Sequence, residues 1–536
     1  MADRLIEAGA TAPPPMLPAL DARRLRAEAV SHTEGLAAAA GFAAVAAAVL
    51  AVHIPVLQSY FFGDDFVALA DVSSRGTWAY LRDVFLLRDL TPNWRFLTGV
   101  YYLVIYRAFG LDALPFLLSN VLFHIGTAGL IFWLVRRALG LTGPALLAAA
   151  FFGLSAAHVP TVGQVTAFNN VLAGFLLTLS IVLLYEGAAR EETRWWWGGS
   201  VAAFGGAIAA NESAAALAPV FILVAWWGTA QEGRPWRMDA QRVALLSLPH
   251  ALLGGAAIAT FTACQCTEAA STLSAGSHIE GNVWIYLGRL LYPIGLEPPG
   301  EPGSAHFAAG ITVAVIAALA FLRGPGLARV AAVFLLLALV PYAPLDLWSA
   351  SRYVYVAAIP FSILSALFFL QMSRLLGHVA PVFPVVIAFV AIGVVGLYSW
   401  QTWEQEQAQA SLSDDWRSLV TGLDETYPEL PEESTVYVYG SDDFGVLFQC
   451  AVLPAVGEVL WGEAKVFTFL SGDLDQYRIR PGYRGFVVAE RGDSFRPVSI
   501  PVASAAEARD ESITLLPHVP PAAHGNLCLP GALRFP

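Results

Sequence analysis

The chain has 536 residues, of which 57% are hydrophobic and only 13% charged, about half the charged share of an ordinary soluble protein. A net charge of −12 without a basic cluster excludes a nucleic-acid-binding signature, so no nucleic-acid partner is expected. Four cysteines are too few for a disulfide scaffold. Cys264 and Cys266 share a loop and Cys450 and Cys528 share the tail, leaving open one bridge in each region, a cross-pair or free buried thiols.

The apolar residues fall in runs near 20 residues, the length that crosses a hydrocarbon core of roughly 30 Å. Backbone groups in hydrocarbon must be satisfied internally, so such runs are predicted helices. They do not alternate as barrel strands would. Residues 1–34 form a Pro/Ala/Arg-rich head, predicted to be mobile. The first run, about 36–58, is too long and too far from Met1 for a cleaved signal peptide and is predicted to span. A polar segment over about 60–95 follows, with Asp64, Asp65, Asp71, Arg75, Arg82, Asp83, Arg88, Asp89 and Arg95. Residues 96–109 are apolar but short and carry Arg107, which suits a helix lying in the interface. Further spans are predicted near 113–135, 144–159, 165–186, 195–210, 213–230, 243–262, 306–322, 327–345, 353–371 and 379–400, making eleven crossings.

The arginines orient these spans, because cytoplasmic connections are enriched in basic residues. With the N-terminus inside, every short inside connection carries at least one, among them Arg136, Arg137, Arg190, Arg194, Arg242, Arg323 and Arg374. Counting 96–109 as a crossing would put Arg136, Arg137, Arg190 and Arg194 on the wrong sides. An odd number of spans then places the C-terminal region outside. Of the two long outer loops, the second contains VWIYLGRLLYPIGL, a second interfacial candidate with Trp284, Tyr286 and Tyr292 suited to the headgroup zone. After Trp403 the composition becomes water-soluble. TVYVYG and RGFVVAE read as strands and LSDDWRSLVTGLDETY as a helix, so a small α/β domain is expected. The expected layout is a cytoplasmic head (1–34), a membrane domain (35–402) and an extracytoplasmic domain (403–536). The tail has no phosphate-binding glycine loop and no zinc spacing, and the chain has no visible internal repeat.

The most informative stretch is SYFFGDDFVAL, residues 59–69, where two carboxylates follow an aromatic pair just past the first span. Unpaired acids at this depth are costly and tend to line a wet cavity or serve a function. Adjacent aspartates raise one another's proton affinity, which favours a general base. The plainer reading is an N-cap and solvated turn before a helix over 66–72.

Further patterns recur in order: PNWRFLTGVYYLVIYRAFGLDALPFLLSNVLFH, LSAAHVPTVGQVTAFNNVLAG, NES at 211–213 and SRYVYVAAIPFSILSA. Together with the aspartate pair they resemble the GT-C glycosyltransferases. The chain is most similar to the branch containing the transmembrane O-mannosyltransferases with tetratricopeptide repeats and their bacterial relatives without them. The resemblance covers roughly residues 55–370 in short, degenerate motifs, and no repeats are present here. It implies an all-α polytopic membrane fold of GT-C type and does not cover the tail; about eleven spans, interfacial helices in two outer loops and the small C-terminal α/β domain are the expectations of the residue patterns above.

On this resemblance Asp64 matches the catalytic base and Asp65 its partner. Arg95 falls where the family has its R-P-L arginine, with Phe96 in place of the proline. Asn120 and His124 match N-x3-H. His158 matches the H-P histidine, Gln164 replaces an acid, and Asn169 and Asn170 replace an R-x-D pair. Asn211 replaces a lysine beside the matching Glu212, and Arg352 and Tyr353 match R-Y. The implied activity is transfer of a sugar from a polyprenyl-phosphate donor to an extracytoplasmic hydroxyl, inverting at the anomeric carbon. Arg352, then Arg95 and Arg289, with Tyr353 beside them, are candidates for the donor phosphate. His158, Gln164, Asn169, Asn170, Asn211, Glu212, Asn120 and His124 are candidates for the substrate pocket. No cofactor is required, and a divalent metal would have only Asp64 and Glu212 as a thin ligand set.

Each residue also has a structural reading. Arg352 suits a snorkelling headgroup contact, Asn120 and His124 interhelical hydrogen bonds, His158 a helix-end cap, and Glu212 a pairing with an arginine. The setting implied is a bacterial plasma membrane, with the bilayer, the lipid-linked donor and an acceptor of open type as partners. Two rivals stand beside the transferase: a transporter or flippase of a lipid-linked or anionic solute, and a degenerate member acting through its tail. Transporters favour midplane charges and inverted repeats, whereas the charges here gather at outer span ends.

Overall fold

The computed structural model describes residues 19–86, 95–189, 194–230, 236–264, 276–293, 304–345 and 351–426. Of the tail it describes 434–439, 446–462, 465–469, 484–491, 494–495 and 501–502. Cys266 and Cys528 lie outside the described residues, as do positions 1–18 of the head.

In chain order the first helices are α1 (Ala19–Val52), α2 (Ile54–Gln58), α3 (Asp65–Ser74), α4 (Thr77–Leu86) and α5 (Phe96–Phe109). Next come α6 (Leu114–Leu139), α7 (Thr142–Gly153), a 3-10 turn at Ala156–His158, α8 (Val159–Val162), α9 (Phe168–Ala188) and α10 (Arg194–Ala210). A second 3-10 turn (Glu212–Leu217) precedes α11 (Val220–Ala230), α12 (Trp236–Cys264), α13 (His278–Leu291), α14 (Ser304–Arg323) and α15 (Gly326–Leu339). A third (Ser351–Val354) leads into α16 (Tyr355–Gly377) and α17 (Phe383–Thr426). The head is therefore helical from Ala19, where a loose segment to 34 was expected.

Among the described residues seven helices are long and apolar enough to cross a membrane, or eight if α7 and the segment Ala156–Val162, bent by 43°, form one broken span. All eleven predicted runs contain helix, but eleven crossings are not reached by length. α11 and α15 are short, and α10 has 17 residues. Composition counted apolar residues that the chain spends on turns. Ser155 accepts the Ala157 N–H inside the 144–159 run, and Asn211, just before the 213–230 run, accepts the Ser213 N–H, each capping a 3-10 turn whose residues fall largely within a predicted span.

α9 lies at the centre of the bundle, its side chains mostly buried. Ser180 of α9 donates to the Ser200 carbonyl of α10 (2.7 Å), and the Ser200 hydroxyl meets His250 of α12 at 2.9 Å. Interhelical polar contacts of this kind hold bundles where lipid provides no hydrophobic drive. The outward faces of α12, α14 and α17 are apolar, with Leu252, Ile311, Leu319, Phe389 and Ile392 exposed. Such surface suits lipid. α5 has the shortness expected of an interfacial helix, and its Arg107 donates to the terminal carbonyls of Val72 and Arg75 at the end of α3. The second interfacial candidate falls on α13, but Tyr286 there is fully buried rather than facing headgroups. α13 is close-packed on α14, and a methyl group at Gly288 would stand 2.4 Å from the His306 carbonyl oxygen.

α17 runs unbroken through the 402/403 boundary. Beyond it lie β1 (Ser434–Tyr439), α18 (Val446–Trp461), β2 (Lys465–Phe469), β3 (Arg484–Arg491), β4 (Ser494–Phe495) and β5 (Pro501–Val502). The sheet order is β2-β1-β3-β4, with β1 parallel to both β2 and β3, and with β4 and β5 antiparallel to β3. Val452, Ala455 and Val456 of α18 share a hydrophobic cluster with Phe66 and Leu69 of α3 and with Trp416 and Leu419 of α17. The helix of the tail is thereby seated on the turn that carries the aspartate pair.

Candidate functional site

The aspartate turn is built by one glycine. Gly63 adopts φ +58°, a left-handed conformation that glycine takes without strain, and the chain reverses there into α3. Two neighbouring carboxylates then point to different surroundings. The Asp65 side chain is fully buried. Its Oδ1 accepts both the Thr166 N–H (2.8 Å) and the Thr166 hydroxyl (3.0 Å), and its Oδ2 accepts the Phe62 N–H (3.3 Å). Burial pushes its pKa up to about 7, against the pull of the Thr166 and Phe62 hydrogen bonds. Asp64 makes no side-chain cap bond and stays 41% exposed. The plain alternative holds in position, since Asp64 is the N-cap residue of α3 and partly solvated, but its carboxylate makes no capping bond. Asp65 ties the turn to the loop after α8, and Asp64 faces outward.

Opposite Asp64 stands Arg352, on the 3-10 turn before α16. Its Nη1 lies 3.5 Å from Asp64 Oδ2 and 3.5 Å from Gln164 Oε1, and its guanidinium is 33% exposed. Tyr353 lies under that guanidinium at 5.7 Å and stacks on Tyr342 at 4.6 Å. The Tyr342 hydroxyl meets Ser213 Oγ at 2.7 Å, and Ser213 donates to Asn211 Oδ1, also at 2.7 Å. Asn211 donates to Asn170 Oδ1 (2.9 Å), whose own amide donates to Asn169 (2.9 Å). One connected layer therefore joins Asp64, Arg352, Gln164, Tyr353, Asn211, Asn170 and Asn169.

Arg95 and Glu212 are spent on one another. Arg95 Nε and Nη2 donate to the two carboxylate oxygens of Glu212 at 3.0 and 3.1 Å. This forked pair clasps the start of α5 to the second 3-10 turn. It matches the structural alternative for Glu212 and commits the second-choice phosphate arginine. With both Glu212 oxygens engaged, Asp64 and Glu212 make a poor metal site. Among the described residues no group of three or more His, Cys, Asp or Glu is placed to hold an ion.

Beneath this layer sits a buried one. Asn120 donates to the carbonyls of Val162 and Gln164, both at 2.9 Å, and holds the loop that presents Gln164 and Thr166. His124 contacts the Tyr355 hydroxyl at 3.1 Å and the Gly153 carbonyl at 3.2 Å. His158 is wholly buried, its ring 4.9 Å from those of both His124 and Tyr355. These three residues act between helices and under the loop. Arg289 is buried on α13, one turn beyond Tyr286, whose ring lies 6.4 Å from that of Tyr353.

α17 supports the turn from the tail side. Glu406 pairs with His53, Ser413 accepts the Tyr60 N–H at 3.0 Å, and Arg417 donates to the Gln58 carbonyl at 2.8 Å. The sequence reading passed over Thr166, Ser213, Tyr342 and Glu406. Only the position of Tyr342, at the end of an apolar run ten residues before Arg352, hinted at a role.

No family model and no curated protein matches the chain. Among solved structures, it is similar to ArnT from Cupriavidus metallidurans bound to undecaprenyl phosphate, at 14% identity and TM-score 0.48, over 89% of this chain and 94% of that one. It is also similar to the archaeal oligosaccharyltransferase AglB from Archaeoglobus fulgidus in complex with an inhibitory peptide and a dolichol-phosphate, at 11% identity and TM-score 0.47, over 80% and 65%. Likeness at this level leaves the chemistry of the site to its own geometry.

Proposed function

We propose that the chain is a membrane glycosyltransferase of the GT-C type, related to the O-mannosyltransferase branch, using a polyprenyl-phosphate-linked sugar on the extracytoplasmic side of a bacterial plasma membrane. The observation that carries the reading is the partly exposed carboxylate of Asp64 beside the partly exposed guanidinium of Arg352, at the rim of an apolar bundle. Lipid-phosphate sugar transfer needs a base and a phosphate-binding cation side by side.

Asp64 takes the proton of the acceptor hydroxyl. The freed oxygen pair forms the new bond to the anomeric carbon from the face opposite the phosphate, so the centre inverts. The bond from that carbon to the phosphate oxygen breaks, and its electron pair leaves with polyprenyl phosphate. Arg352 neutralises the departing phosphate through its forked donors. Gln164 offers a neutral amide, suited to a sugar hydroxyl rather than to an ion, while the buried ladder of asparagines is bonded within itself and supports the layer. No cofactor enters these steps. The acceptor is a protein, lipid or envelope polysaccharide.

The test is transfer of labelled sugar from polyprenyl-phosphate donors in membranes holding equal amounts of wild type or Asp64→Asn. Losing a general base costs about 10²–10⁴-fold. Transfer by Asp64→Asn at the wild-type rate would remove the base assignment. A transporter of a lipid-linked solute is the second reading, favoured by the 43° break between α7 and the segment after it, since broken helices line transport sites. It predicts movement of intact lipid-linked sugar across vesicles without any transfer.

A further inference from the structure

The two ion pairs of the rim are made differently. Arg95 and Glu212 meet through two bonds of 3.0 and 3.1 Å. Arg352 and Asp64 meet through one contact of 3.5 Å, longer than the 2.7–2.9 Å of a well-made charge-assisted bond. The same Arg352 nitrogen is shared, at the same distance, with the neutral amide oxygen of Gln164. The Asp64 carboxylate has no cap bond to hold it. A single-contact pair with both partners one-third or more exposed contributes little to stability and is cheap to break.

We propose that the Asp64–Arg352 pair is exchanged when the donor binds: the anionic phosphate draws Arg352 off Asp64, and the carboxylate becomes a free base only then. The inference rests on the transferase reading and adds an order of events to it. A phosphate can take the guanidinium through two parallel short bonds, whereas Asp64 holds it only at 3.5 Å, so the exchange favours the phosphate. While the guanidinium sits against Asp64 it occupies the side from which an acceptor hydroxyl would deliver its proton, and its departure clears that side. One displacement therefore seats the phosphate and switches on the base. Without an anionic head group to engage Arg352, the base stays masked, so a neutral polyprenol or a free sugar does not release it. The donor binds first and the acceptor second.

The exchange is read from the binding of sugar-free polyprenyl phosphate to the full chain in lipid nanodiscs, as a double-mutant cycle. The four proteins are wild type, Asp64→Asn, Arg352→Gln and the double variant, with melting temperatures taken alongside. Asp64→Asn is expected to bind polyprenyl phosphate about two- to fivefold more tightly, the equivalent of up to about 1 kcal/mol. That gain is expected to vanish in the Arg352→Gln background, because the two residues are coupled. Arg352→Lys serves in place of Arg352→Gln should the latter not fold, and there the gain should shrink.

Unchanged or weaker binding by Asp64→Asn overturns the exchange. So does a gain that persists without Arg352, which would mean plain repulsion between carboxylate and phosphate. In either of those cases, loss of transfer by Asp64→Asn would leave the transferase standing. Failure of the wild type to bind polyprenyl phosphate at all would remove both readings.

Discussion

Two arginine–carboxylate pairs stand at the rim of this bundle, and they teach opposite lessons about the same chemistry. The clasp between Arg95 and Glu212 is forked, and its carboxylate is sheltered, with Glu212 13% exposed and Arg95 33%. It joins elements 117 residues apart and fixes where α5 begins. The pair between Arg352 and Asp64 is single, long and wet. Neither residue type nor the exposure of the arginines, 33% in both, separates them; hydrogen-bond geometry and the exposure of the carboxylates do. One pair holds the wall of the site and the other is left able to move.

The sharpest way to break this comparison is to cut each pair and weigh the result. Glu212→Gln breaks the two charge-assisted bonds that fork from Arg95 and should destabilise the protein by about 2–3 kcal/mol, read as a lowered melting temperature in detergent. Arg352→Gln should cost under about 1 kcal/mol in the same assay. Equal losses would erase the distinction. An effect between these two is expected beneath the site, where Asn120→Ala strips the donor from two carbonyls of the Gln164 loop. We expect a loss of about 2 kcal/mol and slower transfer at saturating donor. Full activity would mean that the loop does not depend on its floor.

The finest effect concerns Asp65 and appears as pH dependence. Its carboxyl titrates near 3.8 in an unfolded chain and is pushed up to about 7 by burial. Between those values the folded protein holds one more proton than the unfolded one. The stability contributed by this group is whole below about pH 4 and is lost as pH rises through about 7. Melting temperature measured across that window should fall with pH in wild type, and the fall should flatten in Asp65→Asn. A slope unchanged by the substitution would assign it to another group.

The aspartate pair was legible because two acids inside an aromatic, apolar stretch need a reason to be there. The division of labour between them was not. Adjacent residues on a turn face different surroundings, and what makes Asp65 structural is Thr166, a hundred residues away with nothing in its neighbours to announce it. The same holds for Arg95, whose sequence context fits phosphate binding as well as pairing until Glu212 is seen at 3.0 Å. The apolar runs were visible, yet their number overstated the long helices because composition cannot tell helical residues from those spent on 3-10 turns at Ser155 and Asn211. Those turns are where the site is made, so the departure from the simple pattern marks the functional end of the bundle.

One long helix has a consequence for how the chain can be divided. α17 has 44 residues, roughly 66 Å at 1.5 Å per residue, about twice the thickness of a bilayer core. Its outer half carries Glu406, Ser413, Trp416 and Arg417, all of which touch the segment from His53 to Phe66. A cut at the compositional boundary after residue 402 would remove a wall of the active turn along with the tail. The C-terminal region is therefore not a detachable module that could be grafted onto another membrane domain or shed without loss. It shares a helix with the candidate site, and the two stand or fall together.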